Sequence, residues 1–317
     1  MTNIKEKPIL FLEPVFKQMV WGGSRLREKY GYDIPGENTG ECWGISAHPS
    51  GDCVIASGIY KGETLSGLWE KHPELFGNPT EKRFPLLVKM LDAKSDLSIQ
   101  VHPDDAYAEK NENGASGKTE CSYILDCPED AEMVIGHNAR TKKELEEMIS
   151  RKEWKELIRR VPVKKGDFIE VNAGTLHAFT KGLFIYEVQQ NSDITYRIYD
   201  YDRLDRGKLR ELHIKQGLDV IQVPATPINE CVRNINNLLP NEMNLLVSNH
   251  CFSVWKLEVV EEASIQQEHS FLAVSVIEGE GTLNGHAIKK GDNFILPYAY
   301  GQADFKGNMS LMMSAVK

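Results

Sequence analysis

The sequence predicts a mostly β protein built as sandwiches or barrels, not as a parallel α/β sheet. Short runs rich in β-branched and aromatic residues recur between Gly, Pro and Asn turns. Only three segments carry helical periodicity, whereas a parallel sheet needs helices alternating with strands. One strand-and-turn segment also occurs twice, as VKKGDFIEVNAGTLHAF at 163–179 and as IKKGDNFILPYAYGQAD at 288–304.

Taken in chain order, the predicted strands cover 84–91, 97–101, 122–125, 167–172, 184–189, 195–200, 252–259, 271–278 and 293–297. A helix is expected at 64–72, where Leu65, Leu68 and Trp69 recur at helical spacing. A second, at 141–160, opens with Thr-x-x-Glu, so that the Thr141 hydroxyl caps the first turn while Glu144 reaches back. Its run KKELEEMISRKEWKEL is a charged amphipathic face and nothing more. The third, at 211–221, sets Leu212, Ile214, Leu218 and Ile221 near one side. Two prolines in QVPATPI, 222–228, mark a linker. The expected division is therefore 1–225, with a short helical insertion at about 137–160, and 226–317.

The chain has 317 residues, 41% apolar and 26% charged, so a packed core is expected. Its net charge of −9 argues against nucleic acid or an anionic membrane as the main partner, since both select basic surface. A small anionic substrate stays open, because a local Lys and Arg cluster can override the global sign. No run of 18 apolar residues occurs, and MTNIKEKPILFLEPVF lacks the apolar core of a signal peptide. The cysteines at 42, 53, 121, 127, 231 and 251 form no C-x-x-C pair and read as reduced thiols of a cytoplasmic protein.

The stretch LSIQVH, 97–102, is unusual for a strand. Leu97, Ile99 and Val101 share one face, while Ser98, Gln100 and His102 line the other, and Lys118-x-Glu120 follows soon after. The repeated segments explain part of this. The copy from Gly166 to His177 resembles G-x5-P-x-G-x2-H, the second motif of the cupin family, with Asn172 where proline is usual. The copy from Gly291 keeps Pro297 but has Ala299 and Gln302 at the glycine and histidine positions. Gln100-x-His102 occupies the H-x-H place of the family's first motif. The resemblance implies two cupin-type jelly-roll barrels, a bicupin, with one working metal site and one degenerate copy.

Elementary coordination chemistry supports the same set. An i, i+2 pair on one strand face points two donors at one ion, and a barrel interior collects others from neighbouring strands. Zinc takes imidazole nitrogen at about 2.0–2.1 Å and carboxylate oxygen at about 2.0–2.2 Å. Gln100 and His102 supply the pair, and Glu120 and His177 complete it. Gln100 either binds the ion or orients a water or another ligand.

The resemblance sharpens with QVHPDD, GKTECSYIL, AGTLHAF and NSDITYRIYD in that order, after VWGG and GECWGIS. Together they closely resemble the short bacterial form of the type I mannose-6-phosphate isomerase family. That resemblance implies one zinc ion per chain on Gln100, His102, Glu120 and His177. It also implies a catalytic arginine at Arg197, a proton-transferring lysine at Lys118 and a pocket acid at Glu187. The implied reaction interconverts mannose 6-phosphate and fructose 6-phosphate through a cis-enediol. Compared with the long eukaryotic form, the helical insertion is reduced.

Ser98 and Lys89 are further candidate contacts for the sugar phosphate. No nucleic-acid or membrane partner is expected, and the chain is expected to be a monomer or weak homodimer. Ordinary roles compete at several positions. A lysine near a Gly-rich turn is usually just solvated; an arginine in an apolar strand can pair with Glu187 or Asp193; Trp21 and Trp43 suit either core or pocket wall. His48, His72, His137, His213, His250, His269 and His286 read as ordinary core or surface residues. An Fe(II) cupin dioxygenase and a non-catalytic sugar-phosphate binder are the rival functions.

Overall fold

Alternation along one central sheet organises the molecule. The computed structural model describes residues 7–235 and 237–316. The central sheet runs Val232–Asn234, Asp167–Val171, Glu120–Asp126, Phe184–Gln190, Leu86–Asp92, Thr39–His48 and Val15–Gly23, with Gly51–Asp52 beside Thr39–His48. Every residue of Leu86–Asp92 is buried, because this strand is covered on both faces.

Successive side chains therefore choose between two environments. Val88, Met90, Cys121, Tyr123, Tyr186 and Val188 turn one way, onto a core shared with Val254, Ala273, Ile295 and Met312. Leu91, Ile124, Ile169 and Ile185 turn the other way, onto a core shared with Met133, Ile135 and Phe179. That second face is covered by a five-stranded sheet in the order Ile158–Pro162, Glu132–His137, His177–Phe179, Ile99–Val101 and Tyr196–Tyr199. Polar residues in phase with it, including Lys89, Glu120 and Glu187, point between these two sheets.

The third sheet runs Asn244–Ser248, Ser253–Gln267, Gly301–Ala315, Leu272–Leu283, Asn293–Leu296, Leu10–Glu13 and Val54–Ile55, with His286–Lys289 beside Leu272–Leu283. The sheets are open paths with free edges, not closed barrels. Strands cross the expected 225/226 division in both directions. Leu10–Glu13 pairs with Asn293–Leu296, and Val232–Asn234 pairs with Asp167–Val171. The 222–228 segment lies against the first part, where Gln222 O accepts from His137 Nε2 at 2.9 Å and Thr226 O from Arg159 at 2.6 Å.

The repeated K-K-G-D is one turn built twice. Gly166 and Gly291 adopt φ of 90° and 95°, which a side chain rarely allows. In each copy the next aspartate closes the turn: Asp167 accepts from Lys164 N at 2.9 Å and Asp292 from Lys289 N at 2.8 Å. The copies then diverge. Gln302 lies exposed and bonds Asp304, while the interior beside it is filled by Leu257, Val276, Phe294, Phe305 and Leu311.

Two predicted helices need correction. Helix Lys142–Ser150 starts as expected, with Thr141 Oγ1 accepting from Glu144 N at 3.2 Å and Glu144 accepting from Arg140 N at 2.7 Å. It does not reach residue 160. Lys152 turns left-handed, Trp154–Leu157 makes one further turn, and Ile158–Pro162 becomes an edge strand against Glu132–His137. Sheet pairing outweighs the weak helical preference there. The 211–221 helix is likewise shorter, Ile214–Val220, and Leu212 is left exposed. Among the described residues all six cysteines are free, and no helix is long and apolar enough to cross a membrane.

Candidate active site

Strand Ile99–Val101 sits between His177–Phe179 and Tyr196–Tyr199, and its register aligns three predicted residues. Gln100 lies opposite His177 on one side and opposite Arg197 on the other. Directly opposed residues share a face, and His102 shares it with Gln100 by period two. Glu120 comes from the facing sheet, at the start of Glu120–Asp126. The donor atoms of His102, Glu120 and His177 lie within 4.8 Å of one another, all three side chains being buried.

Hydrogen bonds orient both imidazoles. His102 Nδ1 lies 2.8 Å from Ile194 O, and His177 Nδ1 lies 3.0 Å from Thr175 O. A carbonyl only accepts, so each Nδ1 carries a proton, and in the neutral imidazole that a metal ligand must be, each Nε2 turns a lone pair inward. His177 Nε2 then stands 2.9 Å from Glu120 Oε1, although both atoms are acceptors and neither has a hydrogen-bond donor. Two buried lone pairs so close, with no proton between them, are costly. Zinc accepts nitrogen and oxygen donors of this kind, so the residues present fit the ion.

Lys118 meets the other side of the group. Its ammonium donates to Glu120 Oε2 at 2.5 Å and to His102 Nε2 at 2.9 Å. The segment carrying it is held by Lys118 N donating to Pro103 O at 2.9 Å. Burial and then the Lys118 charge push the His102 imidazole well below its ordinary value. Burial opposes ionisation of Glu120, but the Lys118 charge outweighs it and holds that carboxyl well below the usual range.

A cavity of about 330 Å³ opens beside this group. Five basic side chains line it against three acidic ones, a local excess of positive charge on a chain of net charge −9. Ser98, Lys89, Glu187, Gln100, Lys118 and Arg197 all contribute to its wall. Ser98 Oγ donates to Gln100 Oε1 at 3.3 Å. Lys89 is held 3.7 Å from Glu41 and 3.8 Å from Glu187. Burial alone would lower its ammonium, but Glu41 and Glu187 outweigh that and raise it. Burial, aided by the Glu120 charge, pushes the Glu187 carboxyl up to about 7.

Arg197 does not form the structural ion pair that would give it an ordinary role. Among the described residues no carboxylate lies within 4.0 Å of it, and its buried Nε has no acceptor. Trp21 and Trp43 are both buried and both line the cavity. Trp43 Nε1 donates to Glu41 at 2.6 Å, and the Lys89 ammonium lies 5.2 Å from the indole centre.

Glu41, Asp193 and Arg210 also line this wall. Glu41 and Arg210 are not among the residues predicted from the sequence, and Asp193 is there only as a partner for Arg197. Glu41 had a legible signal, since it shares a strand face with Trp43 in GECWGIS. Arg210 had none; Asp200, 3.3 Å away, brings it to the cavity.

Residues 9–147 match the catalytic domain of type I phosphomannose isomerase, and residues 241–316 match the mannose-6-phosphate isomerase cupin domain. The mannose-6-phosphate isomerase ManA of Bacillus subtilis (strain 168) is 51% identical over 312 residues, covering 96% of this chain and 98% of that protein. The chain belongs to the type I phosphomannose isomerase family. The mannose-6-phosphate isomerase of Streptococcus mutans is 46% identical over 310 residues, with 96% and 97% covered. The crystal structure of the Bacillus subtilis mannose 6-phosphate isomerase has a TM-score of 0.90 at 48% identity, over 97% of this chain and 99% of that one. A zinc-bound mannose 6-phosphate isomerase shares the fold at a TM-score of 0.79 and 17% identity, over 98% and 100%. Membership of the phosphomannose isomerase family thus rests on nearly the whole chain, with a cupin domain within its C-terminal part.

Proposed function

We propose that the protein interconverts mannose 6-phosphate and fructose 6-phosphate, using one zinc ion held by His102, Glu120, His177 and Gln100. The observation that carries this reading is the buried meeting of His177 Nε2 and Glu120 Oε1 at 2.9 Å, beside a cationic cavity. Relatives of 46–51% identity named for this isomerisation support it. In this reading the two cores descend from a duplicated cupin unit, and the second copy has exchanged its ligand positions for apolar packing.

The reaction moves a proton between carbons 1 and 2 of the open-chain sugar. When bound, zinc supplies a fixed positive charge that polarises the substrate's oxygens. Lys118, after giving its ammonium proton to solvent, takes the proton from carbon 2, and the C–H electron pair becomes the double bond of a cis-enediol. The carbonyl oxygen gains a proton as carbon 1 loses its carbonyl character. Return of the proton to carbon 1, with loss of the carbon 2 hydroxyl proton, gives the ketose. Base assistance of this type contributes about 10²–10⁴ in rate.

Arg197 faces the charge that develops on the enediolate oxygens, a role worth about 3–4 kcal/mol for a well-placed donor. Its lack of a carboxylate partner keeps the guanidinium available. The neighbouring Arg210 guanidinium, steadied by Asp200, adds a second cation on the same wall and suits a dianionic phosphate. Lys89 is engaged by Glu41 and Glu187, so it organises the wall more than it grips the anion. Ser98 offers a hydroxyl beside Gln100.

Glu187 is a second candidate base, because a cavity carboxyl at about 7 is poised for proton transfer. Comparing Lys118→Met with Glu187→Gln separates them, since only loss of the true base costs two or more decades of kcat.

A coupled isomerase assay with mannose 6-phosphate, before and after chelation, tests the function. Turnover that falls on chelation and returns with zinc is expected. Binding without turnover would replace the reading with a sugar-phosphate binder, and substrate-dependent oxygen uptake would replace it with a dioxygenase.

A further inference from the structure

A second set of metal-competent side chains lies outside the candidate active site. Asp105, in the first turn of helix Asp105–Asn111, meets His250 and Cys251, which precede strand Ser253–Gln267. A carboxylate oxygen, an imidazole nitrogen and the thiol sulfur all lie within 4.8 Å of one another. The two stretches are remote in sequence, so only the packing of the third sheet against the catalytic part brings them together.

Each half is held independently. Asn249 Oδ1 accepts from Cys251 N at 2.9 Å and from Phe252 N at 3.0 Å, which sets the His250–Cys251 turn above the buried Phe252 ring. Asp105 Oδ1 accepts from Gly117 N at 2.7 Å and from Gln190 Nε2 at 2.9 Å. Oδ2 has only a longer contact with that same amide, at 3.2 Å, and keeps lone pairs for another partner. The Cys251 thiol is free and half-buried. An open cleft of about 590 Å³ adjoins all three residues and has room for water as a further ligand.

The donor set selects the ion class. Magnesium and calcium prefer oxygen alone, whereas thiolate with imidazole and carboxylate suits zinc and its late first-row neighbours. Ligand atoms around tetrahedral zinc stand about 3.5 Å apart, so small side-chain rotations close the present arrangement.

We propose that Asp105, His250 and Cys251 form a second, zinc-class metal site that clips the C-terminal sheet to the segment carrying Lys118 and Glu120. Asp105 is already the anchor of that segment through Gly117, and Gln190 bridges it to Thr119, whose N–H donates to Gln190 Oε1 at 2.9 Å. An ion on Oδ2 leaves those bonds intact and ties them to the His250–Cys251 turn. The site adds rigidity behind the catalytic residues and touches no substrate.

Titration of the metal-free protein with Co²⁺ reads this site separately from the first. His102, Glu120, His177 and Gln100 include no sulfur, so a thiolate-to-cobalt charge-transfer band in the near ultraviolet reports a cysteine ligand outside that set, and Cys251→Ser tests whether it is Cys251. Two equivalents and that band are expected for the unaltered chain. Cys251→Ser should lose the band, keep one equivalent and retain turnover within a factor of two. His250→Ala should weaken the band-forming event at least tenfold, and His177→Ala should leave the band in place. A single equivalent without the band in the unaltered chain, or a band that survives in Cys251→Ser, overturns the proposal.

Discussion

Lys118→Met separates metal binding from proton transfer. The lysine side chain is 5% exposed, and methionine refills most of its unbranched volume. The substitution removes an ammonium 2.9 Å from His102 Nε2 and 2.5 Å from Glu120 Oε2. If Lys118 is the base, kcat falls by about 10²–10⁴, or about 3–5 kcal/mol of barrier. The effect on the metal has the opposite sign. Zinc with one carboxylate leaves a net single positive charge, and a second positive charge about 4 Å away opposes it by at most about 4 kcal/mol at an effective dielectric of 20. Lysine can swing away, so a gain of about tenfold in zinc affinity is the conservative expectation. The metal-free variant, with two buried acceptors left bare, loses about 1–3 kcal/mol of stability. Saturating-substrate turnover, zinc content and a competitive chelator titration measure all three. Turnover within tenfold of the unaltered enzyme, with zinc retained, would remove Lys118 from the chemistry.

Three other outcomes are expected. His177→Ala should lose one equivalent of zinc, that of the His102, Glu120 and His177 group, together with turnover, by metal analysis and coupled assay; a variant that stays active with that equivalent gone contradicts the ligand set. Glu187→Gln should change how stability depends on pH in the metal-free protein. A carboxyl raised from 4.5 to about 7 takes up a proton on folding, so its contribution is present below about 4.5 and is lost as pH rises through about 7. Unfolding free energies from denaturant titration should therefore fall by about 1–3 kcal/mol more in the unaltered chain than in Glu187→Gln between pH 5 and pH 8, and parallel curves would contradict the burial argument. Gln302→Ala should leave turnover unchanged, since this residue is exposed and bonds Asp304 in the second K-K-G-D copy; a tenfold loss would give that part of the chain a role in catalysis.

Much was legible in the chain itself because β structure writes a period of two into the sequence. That period put Gln100 and His102 on one face of a strand, and the glycine and aspartate of K-K-G-D marked the same turn in both copies. Local rules misjudged residues 158–162, where a helical pattern yields to an available sheet edge, a partner no neighbouring residue announces. Nor could they show that Arg197 stays without a carboxylate while Lys89 gains two.

Sequence alone therefore determined part of the strands, the repeated turn and the residue types able to hold an ion, all of them properties of short stretches. Tertiary structure decided which lone pairs face each other without a donor, which cations gather at the cavity, and that Asp105 meets His250 and Cys251. Those outcomes depend on how separate strands stack and pair, and distance between remote segments leaves no periodic trace along the chain.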